Sequence, residues 1–359
     1  MIRLALLAAT LWLAAPLAGA HALNCKAPND RGPHGTPAVL APTSAVDPAP
    51  PAPGTITLAM LPDIQYYTLC ELPLLAAQTG WLSAEAGRRN IRAALFMGDL
   101  TEHNQPIEWR FVREQIGYAE WSVPMLLAAG NHDEGRGGNT HSRDTLLTRY
   151  FTAPPGLAQS ALAETRDPND IQNAYYRIAL PRVTLGVLVL EWAPRTSTVA
   201  WANEVLQRHA TDRVIVVTHA YLYDDSTRYD WKARGMSQLW NPLYYRLAGA
   251  EARHDPEEDG EMLWNNLVRL HGNVFLVLCG HVAGTGTGHL ASRGDAGNVV
   301  HQVLGNFQQL DEGGLGYLRL FEIAPDGASM RMKTYSPALG LFATGDTQRG
   351  DFGIQPALW

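Results

Sequence analysis

Charged residues and cysteines are scarce in this sequence of 359 residues. Only 18% of the residues are charged and three are cysteines, whereas 46% are hydrophobic. This balance excludes a disordered chain and a coiled coil, and so few cysteines exclude a small disulfide scaffold. With a formal net charge of −7, the chain has no overall basic footprint for a nucleic acid. The composition therefore predicts a globular chain with a substantial core.

Long apolar runs are absent beyond the N-terminal residues. Met1 to Ala22 has the layout of a signal peptide, with a basic residue, an apolar stretch and an Ala-x-Ala cleavage site. The apolar stretch is shorter than the roughly 20 residues that cross a bilayer, so we expect no transmembrane segment. We expect export to a periplasm or to the extracellular space. Oxidising conditions there would permit a disulfide between Cys25 and Cys70, with Cys279 as a core residue.

The remaining chain divides into a Pro-rich segment, one large body and a tail. Residues 23–54 hold eight of the 23 prolines and are predicted to form an extended linker. Apolar strand-like runs alternate with helical stretches over residues 55–337, which predicts one α/β catalytic domain. Its last strands are expected to complete the second sheet. Two insertions, 134–173 and 221–260, are expected to shape substrate binding, and residues 338–359 are expected to form a C-terminal tail.

Polar residues follow five of the predicted strands, at the point where each strand ends. They are Asp63 and Gln65, Asp99, Asn131 and His132, His219, and His281. In α/β sheets the loops beyond the carboxyl ends of the strands converge at one edge. We therefore expect these carboxylate, amide and imidazole side chains to form one site.

Two divalent metal ions need a set of ligands of this kind. Oxygen and nitrogen ligands suit Mn, Fe or Zn better than Cu, and no cysteine is placed to contribute. Asp99 is placed to bridge the ions, which lie about 3.5–4 Å apart in two-metal sites. The alternative is that each residue is separately a helix cap, a turn residue or a core histidine, which would require a coincidence at every strand end.

These residues lie in blocks that resemble the motifs of the calcineurin-like metallophosphoesterase family. The blocks are Asp63-Ile64-Gln65, Gly98-Asp99-Leu100-Thr101-Glu102-His103-Asn104, Gly130-Asn131-His132-Asp133, Thr218-His219 and Gly280-His281. They follow the family's order and spacing over residues 57–283, and Tyr335-Ser336-Pro337 resembles a segment of its secreted bacterial members. The resemblance implies a four-layer α/β/β/α sandwich of two mixed sheets flanked by helices, with two divalent metal ions at one rim.

The resemblance also implies a role for each site residue. The first ion would be bound by Asp63 and Gln65, and Asp99 would bind both ions. The second ion would also be bound by Asn131, His219 and His281. His132 would lie beside the phosphate as the acid that protonates the leaving group.

Two positions depart from the family pattern. Gln65 stands where the Asp-x-His motif has its histidine, and Ala283 stands where the Gly-His-x-His motif has its last histidine. Both missing imidazoles would serve the first ion, which keeps mainly oxygen ligands. We therefore expect the first site to be weaker and to accept Ca²⁺ or Mg²⁺. His289 or His103 would be the substitute ligand if one folds back.

The predicted activity is hydrolysis of a small phosphate mono- or diester by metal-activated water. One alternative is a non-catalytic binding protein with a single metal ion, because two imidazoles are missing. Another is a lipid-directed phosphodiesterase. The aromatic residues of the 221–260 insertion, Tyr229 and Trp231 among them, would bind the organic part of the substrate or form a packed subdomain. The sequence carries no indication of an oligomeric state.

Overall fold

The computed structural model describes residues 49–70, 72–245, 254–343 and 347–358. The predicted signal peptide and most of the predicted linker lie outside these residues, as does Cys25. Cys70 is disulfide-bonded, whereas Cys279 is a buried free thiol. Within the described ranges, no helix combines the length and the apolar character that crossing a membrane requires.

The first of two sheets contains the N-terminal and C-terminal strands of the domain. Its members are β1 (Ile56–Leu61), β2 (Ile91–Phe96), β3 (Met125–Leu127), β11 (Leu318–Ile323), β12 (Ser329–Ser336), β13 (Leu341–Phe342) and β14 (Gly350–Gly353). The order is β13-β12-β11-β1-β2-β3, with β14 also paired to β12. Strands β1, β2 and β3 are parallel, and the remaining pairs are antiparallel.

The second sheet contains the strands from the middle of the chain. Its members are β4 (Leu162–Thr165), β5 (Ala174–Ala179), β6 (Thr184–Val189), β7 (Arg213–Val217), β8 (Val274–Cys279), β9 (Thr287–Arg293) and β10 (Val299–Gly305). The order is β4-β5-β6-β7-β8-β10-β9, and β6, β7, β8 and β10 run parallel. The carboxyl ends of these four strands therefore lie at one rim.

Helices connect the parallel strands and cover the outer faces of the sheets. They are α1 (Gln65–Leu69), α2 (Pro73–Glu85), α3 (Pro106–Gly117), α4 (Leu147–Tyr150), α5 (Leu157–Ala161), α6 (Thr196–Arg208), α7 (Trp231–Arg234), α8 (Pro242–Tyr245) and α9 (Gly260–Asn266). In α3 the buried residues Trp109, Val112 and Ile116 recur every three or four positions, so one face of the helix is apolar.

Three apolar clusters separate the layers. The inner faces of the two sheets meet in one cluster that includes Leu58 and Val187. Helices α2 and α3 pack on the outer face of the first sheet, and α6 and α9 on that of the second. Because both faces are covered, the parallel strands consist almost entirely of buried residues. The predicted four-layer α/β/β/α sandwich is confirmed.

The structure differs from the sequence-based expectations at the C-terminal strands. Only β10 joins the second sheet, whereas β11 and β12 extend the first sheet from β1, with Ile56 opposite Ile323. Strands β13 and β14 lie within residues 338–359, the predicted tail, and both pair with β12. An apolar pattern in the sequence predicts a strand but not the strand with which it pairs. Strands that are two residues long or rich in glycine produce little pattern in the sequence.

Candidate metal centre

The candidate metal centre lies at the rim where parallel strands of both sheets end. Three of its residues have backbones in the left-handed region, with φ of 41° at Asp63, 50° at Asp99 and 75° at His281. Such strained backbones in residues other than glycine cluster at functional sites. A Cβ at Gly130 would collide with the Asp99 carboxylate, and one at Gly280 with that of Asp63. The turns therefore require glycine where the backbone closely approaches the carboxylates.

Asp99, His219 and His281 bring ligand atoms together at the rim. One such atom from each residue lies within 4.8 Å of the other two. His219 Nε2 lies 3.2 Å from Asp99 Oδ1 and 3.1 Å from Asn131 Oδ1. Side chains that follow β2, β3 and β7 thus converge on one point, and His281 joins them from β8.

Each of the two histidines uses one ring nitrogen to hold its orientation. His219 Nδ1 donates to the carbonyl oxygen of Met97 at 2.7 Å, and His281 Nε2 donates to that of Trp240 at 2.7 Å. Nε2 of His219 and Nδ1 of His281 are therefore the nitrogens left for a metal ion. Metal-binding histidines almost always donate the other ring N–H in this way, so this pair fits a metal ion.

The two imidazoles differ in charge. Burial disfavours protonation of His219, but the Asp99 carboxylate outweighs burial and raises its pKa to about 9. Burial lowers the pKa of His281 to about 3, and the neighbouring His219 adds to this effect. Burial also opposes ionisation of Asp99, but His219 and His132 keep its pKa well below the usual range. In the absence of metal, His219 therefore carries the positive charge that balances Asp99.

Asp63 and Gln65, the predicted ligands of the first ion, are each only 1% exposed. Asp63 Oδ1 accepts from the backbone N–H of His281 at 2.9 Å, and Gln65 Nε2 donates to Asp99 Oδ2 at 3.1 Å. Asp63 Oδ2 and Gln65 Oε1 are buried and have no hydrogen-bond partner among the described residues. Burial raises the pKa of Asp63 to about 8. Two unpartnered buried oxygens beside a second carboxylate fit a bound cation.

His132 lies beside Asp99 without directing its ring at the carboxylate. Its backbone N–H donates to Asp99 Oδ1 at 3.0 Å, and its Nδ1 donates to the carbonyl oxygen of Glu102 at 3.0 Å. The Glu102 carboxylate lies 3.5 Å from the same nitrogen. Burial opposes protonation of His132, but Asp99 and Glu102 outweigh it and raise the pKa. Burial raises the pKa of Glu102 as well.

A cavity of about 220 Å³ opens above the centre. Its walls include Asp99, His132, His281, Ala283 and Gln308, and Trp240 and Tyr245 from the aromatic insertion. A second cavity of about 580 Å³ adjoins it through Tyr245 and is lined by Trp231, Met236 and Tyr244. Four of the seven predicted site residues line the smaller cavity, namely Asp99, Asn131, His132 and His281. The other three contact members of that set: Asp63 accepts from His281, Gln65 donates to Asp99, and His219 lies beside Asp99.

The structure also decides three further expectations, two about substitute metal ligands and one about the 221–260 insertion. His289 bonds to His301 at 3.1 Å on neighbouring strands, and His103 lies near Glu108 at the start of α3, so neither reaches the centre. Tyr229 is fully buried and donates to Leu239, which fits the packed-subdomain alternative.

Sequence reasoning assigned no role to Glu102 or Gln308. Glu102 lies three residues after Asp99 in the block from Gly98 to Asn104. Gln308 follows β10, a strand parallel to β8, and the rule that selected the other strand ends would have found it.

The chain matches the family model described as calcineurin-like phosphoesterase over residues 75–285. The matched range begins after Asp63 and Gln65 and contains the other predicted site residues. The chain is also 26% identical over 297 residues to the uncharacterized protein YvnB of Bacillus subtilis (strain 168). That similarity covers 81% of this chain and 20% of the relative, so the chain spans about a fifth of that protein's length.

Two solved structures are similar to this chain at low sequence identity. The purple acid phosphatase PPD1 from yellow lupin (Lupinus luteus) seeds has a TM-score of 0.45 and 14% identity, and covers 85% of this chain and 55% of its own. GAP50, the anchor in the inner membrane complex of Plasmodium, has a TM-score of 0.42 and 12% identity, with coverages of 84% and 89%.

Proposed function

The chain belongs to the calcineurin-like phosphoesterase family, and on this premise we propose that it is a metal-dependent hydrolase of phosphate esters. The observation that carries the proposal is the convergence of Asp99, His219 and His281 within 4.8 Å. When bound, two divalent ions supply Lewis-acid stabilisation of the phosphoryl oxygens and activate the attacking water. The donors of the second site suit Mn, Fe or Zn.

Each site residue has a proposed role that its contacts support. Asn131, His219 and His281 hold the second ion, because His219 Nε2 lies beside Asn131 Oδ1 and Asp99 Oδ1, and His281 brings a ligand atom within 4.8 Å of those of Asp99 and His219. Asp63 and Gln65 hold the first ion through the oxygens that lack other partners in the described ranges. Asp99 serves both, since Oδ1 faces His219 and Oδ2 faces Gln65.

His132 is the proposed acid for the leaving group. Its Nδ1 keeps a hydrogen, because that nitrogen donates to the carbonyl oxygen of Glu102. The second proton is therefore held at Nε2, and the neighbouring carboxylates of Asp99 and Glu102 favour the doubly protonated ring by raising its pKa. A histidine whose pKa is raised holds its second proton more readily and can deliver it to a departing alkoxide.

The substrate is proposed to be a small phosphate mono- or diester that occupies both cavities. The phosphate would lie in the smaller cavity beside His132, and the organic group would extend past Tyr245 along Trp231 and Tyr244. Aromatic side chains offer large flat apolar surfaces at low entropic cost, so they suit an organic group with a planar face.

We also propose that the protein is exported. The support is Cys70, which is disulfide-bonded, because disulfides persist mainly in oxidising compartments. N-terminal sequencing of protein recovered from the periplasm or medium should begin at Leu23. Recovery of unprocessed chain in the cytoplasm alone would contradict export.

Hydrolysis of bis-p-nitrophenyl phosphate and p-nitrophenyl phosphate tests the activity. We expect turnover after addition of Mn²⁺ or Zn²⁺, none with a chelator, and loss of turnover in Asp99→Asn, which removes the shared carboxylate charge. The ratio of the two rates separates diesterase from monoesterase activity. A folded, ion-binding protein that hydrolyses neither compound nor any natural phosphoester would instead be a binding protein. Turnover only of lipid substrates, with co-sedimentation on vesicles, would indicate a lipid-directed phosphodiesterase.

A further inference from the structure

The turn after β10 brings Gln308 to the site beside the loop that carries Ala283. Gln308 donates its backbone N–H to Asn306 Oδ1 at 2.9 Å, and Asn306 donates its own backbone N–H to Gly286 at 2.8 Å. Gly286 in turn donates to the carbonyl oxygen of Ala283 at 2.6 Å. The two segments are therefore fixed to each other, and Ala283 and Gln308 line the same cavity.

The side chain of Gln308 is directed at the residues proposed to hold the first ion. Its Oε1 accepts a hydrogen bond from Gln65 Nε2. The same Nε2 donates to Asp99 Oδ2 at 3.1 Å. The side-chain oxygen of Gln308 and the carboxylate of Asp99 thus converge on one point. The side-chain amide nitrogen of Gln65 occupies that point.

Rotation of the Gln65 side-chain amide can put its oxygen at that point in place of its nitrogen, without any movement of the backbone. Its Oε1 is buried and has no partner in the described part of the chain, and neither does Asp63 Oδ2. A half turn of the Gln65 amide, whose oxygen and nitrogen are nearly equal in size, would place Oε1 where Nε2 now lies. Oxygens of Gln65, Asp99 and Gln308 would then be direct neighbours, and a cation bound among them would offset their mutual repulsion.

We propose that Gln308, through its contact with Gln65 beside Asp99, is an additional ligand of the first metal ion in the place that Ala283 leaves. The proposal rests on the proposed function only in assuming that the centre binds two ions. Carboxylate and amide oxygens favour hard cations, and imidazoles favour Zn. The pair of glutamines therefore makes the first site selective for a hard divalent cation, for which Mn²⁺ is the probe.

Titration of the metal-free full chain with Mn²⁺ alone, followed by calorimetry and by equilibrium dialysis with metal analysis, tests this proposal. We expect two ions per wild-type chain. Gln308→Ala should weaken one of the two sites by about tenfold or more and leave the other unchanged, since even an outer partner of a metal ligand contributes about 10- to 100-fold. Asp63→Ala marks which site is the first, because the same site should be lost.

The matched control is Gln309→Ala, which removes the neighbouring amide from the same cavity wall and should leave both affinities unchanged. Gln308→Glu keeps an oxygen ligand and adds a negative charge, so it should retain both ions. Gln308→His should raise the affinity of the first site for Zn²⁺ relative to Mn²⁺.

Three results would overturn the proposal: one ion or none in the wild type, unchanged binding in Gln308→Ala, or equal losses in Gln308→Ala and Gln309→Ala. Hydrolysis is measured separately on the same samples. Wild type that binds two Mn²⁺ ions but hydrolyses no phosphoester would overturn the proposed function and leave the ligand assignment intact.

Discussion

At the scale of single residues, the pKa values of two neighbouring imidazoles at this centre are shifted in opposite directions. The rings of His219 and His281 are 5.0 Å apart, yet one pKa is raised to about 9 and the other lowered to about 3. The difference arises because Asp99 bonds to His219, whereas burial and the charge on His219 act on His281. A cation at the centre would replace the proton on His219 and remove that asymmetry.

Replacement of His132 by glutamine tests its role as the acid. His132→Gln should slow hydrolysis of an alkyl phosphate ester by about 10²- to 10⁴-fold, because the alkoxide must be protonated as it leaves. Hydrolysis of the p-nitrophenyl ester should fall far less, since p-nitrophenolate leaves without a proton. Steady-state rates for the two esters measure the difference.

The metal content of His132→Gln serves as its control. Only the backbone N–H of residue 132 contacts Asp99, so the variant should retain its bound ions. An equal loss of rate for both esters would contradict the role of His132 as the leaving-group acid.

At the scale of elements, sequence patterns identified the buried strands and the longer helices to within a few residues. The mainly apolar run of residues 56–61 forms β1, and the helical pattern of residues 107–119 overlaps α3 at Pro106–Gly117. Strands β4 and β9 left no signal, because each lies at an edge of the second sheet and mixes polar with apolar residues. A strand that is buried along its whole length has a continuous apolar run that can be recognised in the sequence. A strand at the edge of a sheet has no such run.

Glu191, two residues beyond β6, holds together the segment between β6 and α6. It accepts hydrogen bonds from Arg195 at 3.0 and 2.8 Å and from Asn173 at 3.2 Å, so Arg195 is engaged in an ion pair. Burial alone would raise the pKa of Glu191, but Arg143 and Arg195 outweigh it and lower the pKa to about 2. The ion pair therefore stabilises the fold at every pH above the ordinary value of 4.5.

Glu191→Gln should destabilise the metal-free protein by about 1–3 kcal/mol at neutral pH, because the partly buried Arg143 and Arg195 lose their carboxylate partner. The difference in free energy of unfolding between wild type and variant should shrink as the pH falls from about 4.5 towards about 2, since the unfolded chain takes up the proton first. Urea unfolding at pH 7, 5 and 3, with chelator present, measures both effects. The variant should show the flatter pH dependence.

The control for Glu191→Gln is the exposed pair of Arg331 and Asp351 on neighbouring strands. Asp351→Asn should change the free energy of unfolding by less than about 1 kcal/mol, because water screens exposed ion pairs. A loss in Glu191→Gln no larger than in Asp351→Asn would show that the buried pair does not stabilise the fold.

In the 221–260 insertion, some aromatic side chains line a cavity and others are buried in the fold. Substitution distinguishes a role in substrate binding from a role in stability. Trp231→Ala should alter the relative kcat/KM for substrates with large and small organic groups, because Trp231 lines the larger cavity. Tyr229→Ala should mainly lower the melting temperature, since Tyr229 is fully buried and bonded to Leu239. Kinetics on a series of esters and thermal unfolding check both outcomes. Equal losses on all esters in Trp231→Ala would exclude a substrate-binding role.

At the scale of the whole molecule, the convergence of the strand-end side chains was easier to predict than the arrangement of the sheets. Residues such as Asp99 and His281 follow continuous apolar strands, so the rule about strand ends located them from sequence alone. The pairing of β1 with β11 could not be predicted, because both strands are buried along their whole length and any apolar neighbour would satisfy them. Gln308 was missed because no motif surrounds it, although it too follows a strand.

The candidate centre joins the two sheets, and metal binding should therefore stabilise the whole domain. Asp63 and Asp99 follow strands of the first sheet, and His219 and His281 follow strands of the second. An ion that binds only the folded state at 100 times its Kd adds about 2.7 kcal/mol. For a domain of this size that corresponds to a rise of about 5 °C in melting temperature.

Thermal unfolding of chelator-treated protein, with and without added Mn²⁺, measures this stabilisation. The wild type and Asp351→Asn should show the same rise, whereas Asp99→Asn should show little or none. Metal-free Asp99→Asn should also melt lower than the metal-free wild type, because His219 loses the carboxylate that balances its charge. An equal rise in wild type and Asp99→Asn would mean that Mn²⁺ stabilises the protein from a site elsewhere in the molecule.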